Sequence, residues 1–372
     1  MSATRRPDRP TSTDQEARFA TRDWWIYRGT GRPLHDIELN EILPPPPPWR
    51  DFDGGPLPER DVPPDDDGEA ERKLGAEFHL SERHVDSHEV DMVNSALYLR
   101  RPLLITGLPG TGKSSLAFKI ARELGLGRVL KWPITSNTTL RDGLYNYDAI
   151  GRAQAAGTSQ TIARARAASR DPQPFEEPPI GDFVRLGALG TAFLPRRLPR
   201  VLLIDELDKS EADLPNDLLA LFEDGEYLIP ELARVSTRSS EVSVFTADAH
   251  DKATIVDGRV RCRAFPVIVI TSNGEREFPP AFLRRCLRLE THQLDAEQLA
   301  AMVAAHLVDP DGEHRERLVR EFVERSHLHG GMPADKLLDA VYLATSGAYR
   351  EDDESWPRLL DALWRSISSM VP

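Results

Sequence analysis

Residues 103–120 read LLITGLPGTGKSSLAFKI, which is an apolar run, a glycine-rich loop and a stretch with helical periodicity. Gly107 opens the loop, a four-residue spacer follows, and Gly112, Lys113 and Ser114 close it. This is the phosphate-loop pattern, which requires a strand before it and a helix after it. Glycines let backbone N–H groups curl around an anion without a Cβ in the way, and the start of the helix adds free donors. The stretch therefore predicts a phosphate-binding strand–loop–helix unit.

The loop also predicts which side chains would meet a nucleoside triphosphate. Lys113 would reach the β- and γ-phosphates, and the Ser114 hydroxyl would ligate Mg²⁺. Lysine is scarce in this chain, seven against forty arginines, so a lysine here is not the default basic residue. The predicted nucleotide-binding residues of the loop are Gly107, Pro109, Gly110, Thr111, Gly112, Lys113, Ser114 and Ser115.

Two further apolar runs end in polar residues suited to the same chemistry. Residues 201–204 are followed by Asp205 and Glu206, and residues 267–270 lead to Asn273. Parallel sheets place their ligands at the carboxyl ends of strands. We therefore expect Asp205 to hold the Mg²⁺ shell, largely through water. Glu206 is expected to act as general base toward the attacking water, and the amide of Asn273 to hold that water.

The apolar runs alternate with helical windows, which is typical of an α/β fold with a doubly wound parallel sheet. We assign this core to residues 76–291. Within it, residues 151–179 form a low-complexity insertion, and residues 241–264 a hairpin centred on Asp257-Gly258. After Thr291 only amphipathic windows remain, which predicts an all-α lid domain over residues 292–372.

Residues 1–75 form an N-terminal extension of different character. Residues 23–27 read DWWIY, an aromatic segment expected to dock on this chain or on a partner. The run Pro44–Pro48 follows, and after it the acidic residues 65–67 and 69. Proline fixes φ and removes a backbone donor, so this part predicts polyproline II structure and a disordered linker.

The composition disfavours nucleic-acid-binding, membrane and disulfide-rich proteins. The 372 residues are 40% hydrophobic and carry 47 basic against 60 acidic side chains, a net charge of −13, and the mean hydropathy is −0.43. The acidic balance disfavours nucleic acid as a partner. The sequence contains no apolar run of membrane-spanning length and no signal-peptide pattern, so we expect a cytoplasmic protein without a membrane partner. Cys262 and Cys286 cannot build a disulfide framework.

Taken together, these motifs resemble those of the AAA+ ATPases (P-loop NTPases), and within them the MoxR family, over about residues 80–370. The likeness includes the extended second motif at residues 205–209, and Asn273 stands at the sensor-1 position. Residues 278–286 are similar to the arginine-finger segment. The resemblance implies Arg285 as the finger, with Arg284 as the other choice. It also implies that Lys336 contacts phosphate from the lid as sensor 2, where arginine is commoner.

The resemblance implies ATP hydrolysis with Mg²⁺ in a homo-oligomeric ring, typically hexameric, that remodels or activates a protein client. Such proteins usually work with a von Willebrand factor A partner. The metal-site pattern Asp-x-Ser-x-Ser of that domain does not occur here, so the partner would be a separate protein. Tyr145 and Tyr147 follow the short apolar run Val129-Leu130, which predicts a further strand, and they either face a central pore or pack on the sheet.

Two other functions stay open. The first is a nucleotide-gated interaction switch that binds ATP, assembles and hydrolyses little, which the departures at Arg284 and Lys336 favour. The second is a small-molecule P-loop kinase, which would need neither the helical lid nor the double arginine.

Overall fold

The computed structural model describes residues 22–34, 39–58, 61–75, 85–167, 177–292, 296–306, 312–328, 334–345 and 355–364. The described helices are α1 (Leu39–Ile42), α2 (Glu69–Leu74), α3 (Ser87–Leu99), α4 (Ser115–Glu123), α5 (Leu140–Leu144), α6 (Ala149–Ala167), α7 (Ala188–Ala192), α8 (Leu214–Asp224), α9 (Pro230–Ala233), α10 (Pro280–Leu283), α11 (Ala296–His306), α12 (Gly312–Leu328), α13 (Asp335–Thr345) and α14 (Trp356–Leu363). The described strands are β1 (Leu103–Thr106), β2 (Leu130–Pro133), β3 (Tyr145–Tyr147), β4 (Val184–Leu186), β5 (Val201–Asp205), β6 (Glu226–Leu228), β7 (Glu241–Phe245), β8 (Lys252–Val256), β9 (Arg259–Arg261), β10 (Val267–Ser272) and β11 (Leu287–Glu290). None of the helices in these ranges is both long and apolar enough to cross a bilayer.

A five-stranded sheet in the order β11-β1-β10-β5-β2 forms the centre of the fold. Every pairing in it is parallel. Side chains alternate between two buried clusters: Leu104 and Ile204 face one, and Leu103 and Leu203 the other. Both faces are covered, so the strands are apolar throughout instead of alternating with polar residues. The predicted doubly wound sheet is confirmed.

The sheet brings the carboxyl ends of β1, β5 and β10 to one edge, since β10 lies between the other two. The registers pair Thr106 with Ser272 and Ile204 with Ile270. Continued by one residue, these registers place Asp205 level with Thr271, and Gly107 level with Asn273 two residues further along. The candidate residues therefore lie within a short distance of one another on this edge.

A second sheet in the order β3-β4-β7-β8-β9-β6 packs beside the first. Asp257 and Gly258 join β8 to β9 with φ angles of 51° and 72°, and Val256 pairs with Arg259 across them. Two successive positive φ angles make a type I′ turn, as an Asp-Gly pair favours. The predicted hairpin thus belongs to a larger sheet. In the predicted low-complexity insertion, residues up to Ala167 belong to α6.

The C-terminal helices α11–α14 enclose a hydrophobic cluster of their own, in which Phe322 and Trp364 meet edge to face at 5.6 Å. Helix α11 also reaches the core, because Ala305 lies in the cluster beneath the parallel sheet. There it meets the residue after α2, Gly75, so closely that a Cβ on Gly75 would lie 2.5 Å from the Ala305 carbonyl oxygen. The C-terminal helical region predicted from the amphipathic windows is present.

The described parts of the N-terminal extension lie on the core, which corrects the prediction of a disordered linker for those residues. Phe52 and Leu74 are buried in the two core clusters, and the buried Arg50 guanidinium donates to the Phe222 carbonyl. Proline needs no partner for a backbone N–H, and its carbonyl still accepts. The Arg128 N–H donates to Pro64 O at 3.0 Å. A proline-rich segment can therefore lie along a folded surface without a sheet partner.

The aromatic segment docks on this chain. Asn94 of α3 is fully buried, and its Oδ1 accepts from the backbone N–H groups of Ile26 and Tyr27 at 2.8 and 3.0 Å. Its Nδ2 donates to Tyr27 O at 2.7 Å. Trp25 Nε1 donates to Asp91 at 2.9 Å. The buried Glu123 carboxylate at the end of α4 accepts from the Gly31 N–H at 2.9 Å.

Candidate functional site

The glycine-rich loop between β1 and α4 is curled by three glycines with positive φ: 155° at Gly107, 80° at Gly110 and 78° at Gly112. Lys113 is only 8% exposed, and its Nζ donates to the carbonyl oxygens of Gly107 and Leu108, each at 2.8 Å. Burial lowers the pKa of Lys113, and neighbouring carboxylates, Asp208 first, oppose that shift. The curled loop thus holds the Lys113 ammonium group against two of its own backbone carbonyl oxygens.

The end of β5 meets the start of α4 through a hydroxyl and a carboxylate. Ser114 Oγ donates to Asp205 Oδ1 at 2.7 Å. Thr271, at the end of β10, donates from its hydroxyl to the same oxygen at 2.7 Å and accepts from the Glu206 N–H at 2.8 Å. Thr271 therefore orients both acids. Sequence reasoning placed no role on it, although it stands directly before Ser272-Asn273 in the quoted strand end.

Glu206 has the left-handed backbone conformation, with φ 61° and ψ 49°. This conformation is unfavourable for a residue with a Cβ and marks a position held by its surroundings. Its Oε2 accepts from Lys209 Nζ at 2.6 Å, and its Oε1 from Asn273 Nδ2 at a long 3.4 Å. The hydrogen bond to Glu206 raises the pKa of Lys209. The Glu206 carboxylate thus already has a cationic partner.

Asp208 holds the loop that carries Asn273. It is 3% exposed, and its Oδ2 accepts from the backbone N–H groups of Asn273 and Glu275 at 2.9 and 3.0 Å. The segment 205–209 was recognised as a motif, but the separate contacts of Asp208 and Lys209 were not expected.

A cavity of about 180 Å³ opens beside the loop. The loop and α4 form one wall, the end of β11 another, and α11 and α2 the outer rim. Its lining includes Leu74, Thr111, Gly112, Lys113, Ser115, Thr291, Gln298, Met302 and His306. Helix α11 and the loop therefore line the same cavity.

Arg284, Arg285 and Lys336 are not among the described residues that line this cavity. Arg285 Nε donates to Glu223 at the end of α8, and its side chain is 36% exposed. Lys336 lies in α13, where its carbonyl accepts from Trp364 Nε1 at 3.1 Å. The structure thus brings the loop together with Asp205, Glu206 and Asn273. The candidates for the arginine finger and for sensor 2 lie away from this cavity.

Among the described residues no group of three or more histidine, cysteine or acidic side chains is arranged to hold a metal ion. Cys262 and Cys286 are buried, and burial raises the pKa of each thiol to about 12. Neither sulfur is therefore a reactive thiolate near neutral pH.

Residues 102–286 match the family model described as "AAA domain (dynein-related subfamily)". This part of the chain has the AAA+ P-loop NTPase fold. Among solved structures the chain is similar to a RuvB variant from Thermotoga maritima, at 12% identity and a TM-score of 0.37. That similarity covers 76% of this chain and 70% of the other. No curated protein sequence matches the chain.

The matched AAA segment begins just before β1 and ends at Cys286, so it contains all the acids and amides of the candidate site. The N-terminal extension and the helices α11–α14 lie outside it.

Proposed function

We propose that this protein binds ATP with Mg²⁺ at the loop 107–114 and hydrolyses it. One observation carries the proposal: Lys113, the Ser114–Asp205 pair and the Glu206–Asn273 pair converge on one edge of the sheet, although they come from three strands. A positive side chain in a curled loop, a hydroxyl–carboxylate pair and an acid beside an amide are the parts that phosphoryl transfer to water requires.

The residues fit a magnesium nucleotide. The three left-handed glycines leave the loop surface free of Cβ atoms, and a Cβ on Gly112 would meet nothing within 4 Å. Ser114 and Asp205 would hold Mg²⁺, which neutralises charge on the phosphates when bound. Lys113 would bind the phosphates, Glu206 would take a proton from water, and Asn273 would orient that water.

We further propose that the active form is a homo-oligomeric ring of MoxR type, typically hexameric. Arg285 does not line the cavity beside the loop of its own subunit, and its side chain is partly exposed. A residue that acts on the nucleotide of a neighbouring subunit must have both properties. Arg284 adjoins it and is the other choice. In this proposal hydrolysis moves α11–α14 against the core and remodels a protein client or a separate von Willebrand factor A partner. Lys336 would join the phosphates only after such a movement.

A second function is favoured by the contact of Lys209 with Glu206. A base held by an ion pair at 2.6 Å is poorly placed to activate water. This arrangement fits a nucleotide-gated switch that assembles and turns over slowly.

Both proposed functions require that the loop 107–114 binds a magnesium nucleotide. Calorimetry with Mg-ATP and Mg-ADP tests this binding, and the Lys113→Ala variant is the control for the site. We expect saturable binding to the natural protein and loss of binding in the variant. Absence of binding to folded natural protein would overturn both functions. Mass photometry and steady-state turnover, both measured across a range of protein concentrations, then distinguish the two functions. For an ATPase ring, turnover per subunit rises as the protein assembles. For a nucleotide-gated switch, the protein assembles and turnover per subunit stays low.

A further inference from the structure

Thr291 stands where the last strand of the parallel sheet gives way to the C-terminal helices. The register pairs Thr106 of β1 with Glu290 of β11. One residue further along both strands, Gly107 therefore lies beside Thr291. The Thr291 N–H donates to Thr106 O at 2.8 Å, which extends the ladder by one bond. Thr291 is thus held rigidly against the first residue of the phosphate loop.

Two separate points of the loop touch this one residue. A Cβ placed on Gly107 would lie 2.4 Å from Thr291 Oγ1 and 2.7 Å from Thr291 O, so only glycine fits there. Further along, Thr111 Oγ1 lies 2.9 Å from Thr291 Oγ1, a hydrogen-bond distance. The Thr291 hydroxyl also lies 3.2 Å from Thr106 O. It therefore bridges the entry and the far side of the loop.

The same residue belongs to the link with the lid. Thr291 and His292 line the cavity together with Thr111 and Lys113, and α11 contributes Met302 and His306 to the opposite side. A movement of α11 would therefore be transmitted to Thr291, which contacts the loop through Thr111. Conversely, a change in the position of Thr111 would be transmitted through Thr291 toward α11.

We propose that Thr291 is a positioning residue that supports the phosphate loop and couples nucleotide occupancy to the lid helix α11. The inference rests on the proposed function, because it concerns how the nucleotide site is held. Its Oγ1 keeps the loop curled before the nucleotide arrives, so less ordering is needed on binding. The hydroxyl touches no reacting atom in this arrangement.

The test compares Thr291→Val, which removes the hydroxyl at nearly constant volume, with Thr291→Ser, which keeps it. Thr254→Val, on the exposed face of β8, is the matched control. Each full-length variant is titrated with Mg-ADP by calorimetry. Hydrogen exchange of residues 296–306 is then followed with and without saturating Mg-ADP. We expect Thr291→Val to weaken affinity roughly fivefold, the size of one net hydrogen bond.

The decisive readout is the lid. In the natural protein, Thr291→Ser and Thr254→Val, saturating nucleotide should slow exchange in α11, and in Thr291→Val this protection should be largely lost. A merely structural threonine would change the melting temperature but leave the protection. If Thr291→Val is unfolded, Thr111→Val breaks the same contact from the loop side and must lose the protection at saturation.

If folded Thr291→Val binds Mg-ADP as tightly as the natural protein and shows the same nucleotide-dependent protection of α11, the role of Thr291 is overturned, but the proposed function is not. Failure of the natural protein to bind any magnesium nucleotide would instead overturn the proposed function.

Discussion

Ser114 and Asp205 come from opposite sides of β10, yet the Ser114 hydroxyl donates to Asp205 Oδ1 at 2.7 Å. The contact exists because β1 and β5 both pair with β10 in register, which brings the loop after β1 and the acid ending β5 to the same edge. Thr271 of β10 completes the contact by donating to the same oxygen. The Ser114 hydroxyl and the Asp205 carboxylate are thus held together, as the proposed Mg²⁺ site requires.

Glu206→Gln should bind Mg-ATP with natural affinity and lose turnover by about 10²–10⁴-fold, because the amide cannot accept a proton. The measurement pairs calorimetric binding with steady-state phosphate release. Asp217→Asn, an exposed acid on α8, is the control. Robust hydrolysis by Glu206→Gln would remove Glu206 as the base.

Arg285→Ala should keep nucleotide binding and reduce turnover by about 10³–10⁵-fold, the range known for arginine fingers. Arg284→Ala is the matched control, since it removes a neighbouring charge. Mixing Arg285→Ala with Glu206→Gln should restore some activity, because each variant supplies the group that the other lacks. If Arg284→Ala is the inactive variant, the two roles are exchanged.

Lys209→Met should raise turnover several-fold without changing nucleotide affinity, because it frees Glu206 from its ion pair. The pH dependence has a definite sign. The hydrogen bond to Glu206 raises the pKa of Lys209. The ion pair therefore persists through the pH at which a free lysine deprotonates and is lost only as pH rises through the raised value. Natural turnover should therefore climb toward the Lys209→Met level at alkaline pH. Equal profiles for the two proteins at every pH would contradict the pairing.

Asn94→Ala should destabilise the protein by about 2–4 kcal/mol, because the buried N–H groups of Ile26 and Tyr27 lose their acceptor. Urea denaturation measures the loss, and the exposed Asn216→Ala on α8 is the control. Limited proteolysis should also cut the aromatic segment faster in Asn94→Ala. Unchanged stability would mean that this segment contributes little to the fold.

The glycine-rich loop, the acids at the end of β5 and the parallel sheet were all predicted from sequence, and the family model that matches residues 102–286 supports the same fold class. Each rests on short-range chemistry: glycine spacing fixes a loop conformation, and continuous apolar runs imply strands covered on both faces. The roles of Lys113, Asp205 and Glu206 remain predictions, although their relative placement agrees with the expected edge.

The order of strands and their register decided the rest. Neither Thr271 beside Asp205 nor Thr291 beside Gly107 could be found by spacing, since each pair is joined only by neighbouring strands. The proline-rich extension was misjudged for a related reason. Its composition lacks backbone donors, but Arg50 and Phe52 are anchored by distant segments of the core. A local sequence pattern determines which backbone conformations a segment favours, whereas contacts between segments distant in sequence depend on how the whole chain packs.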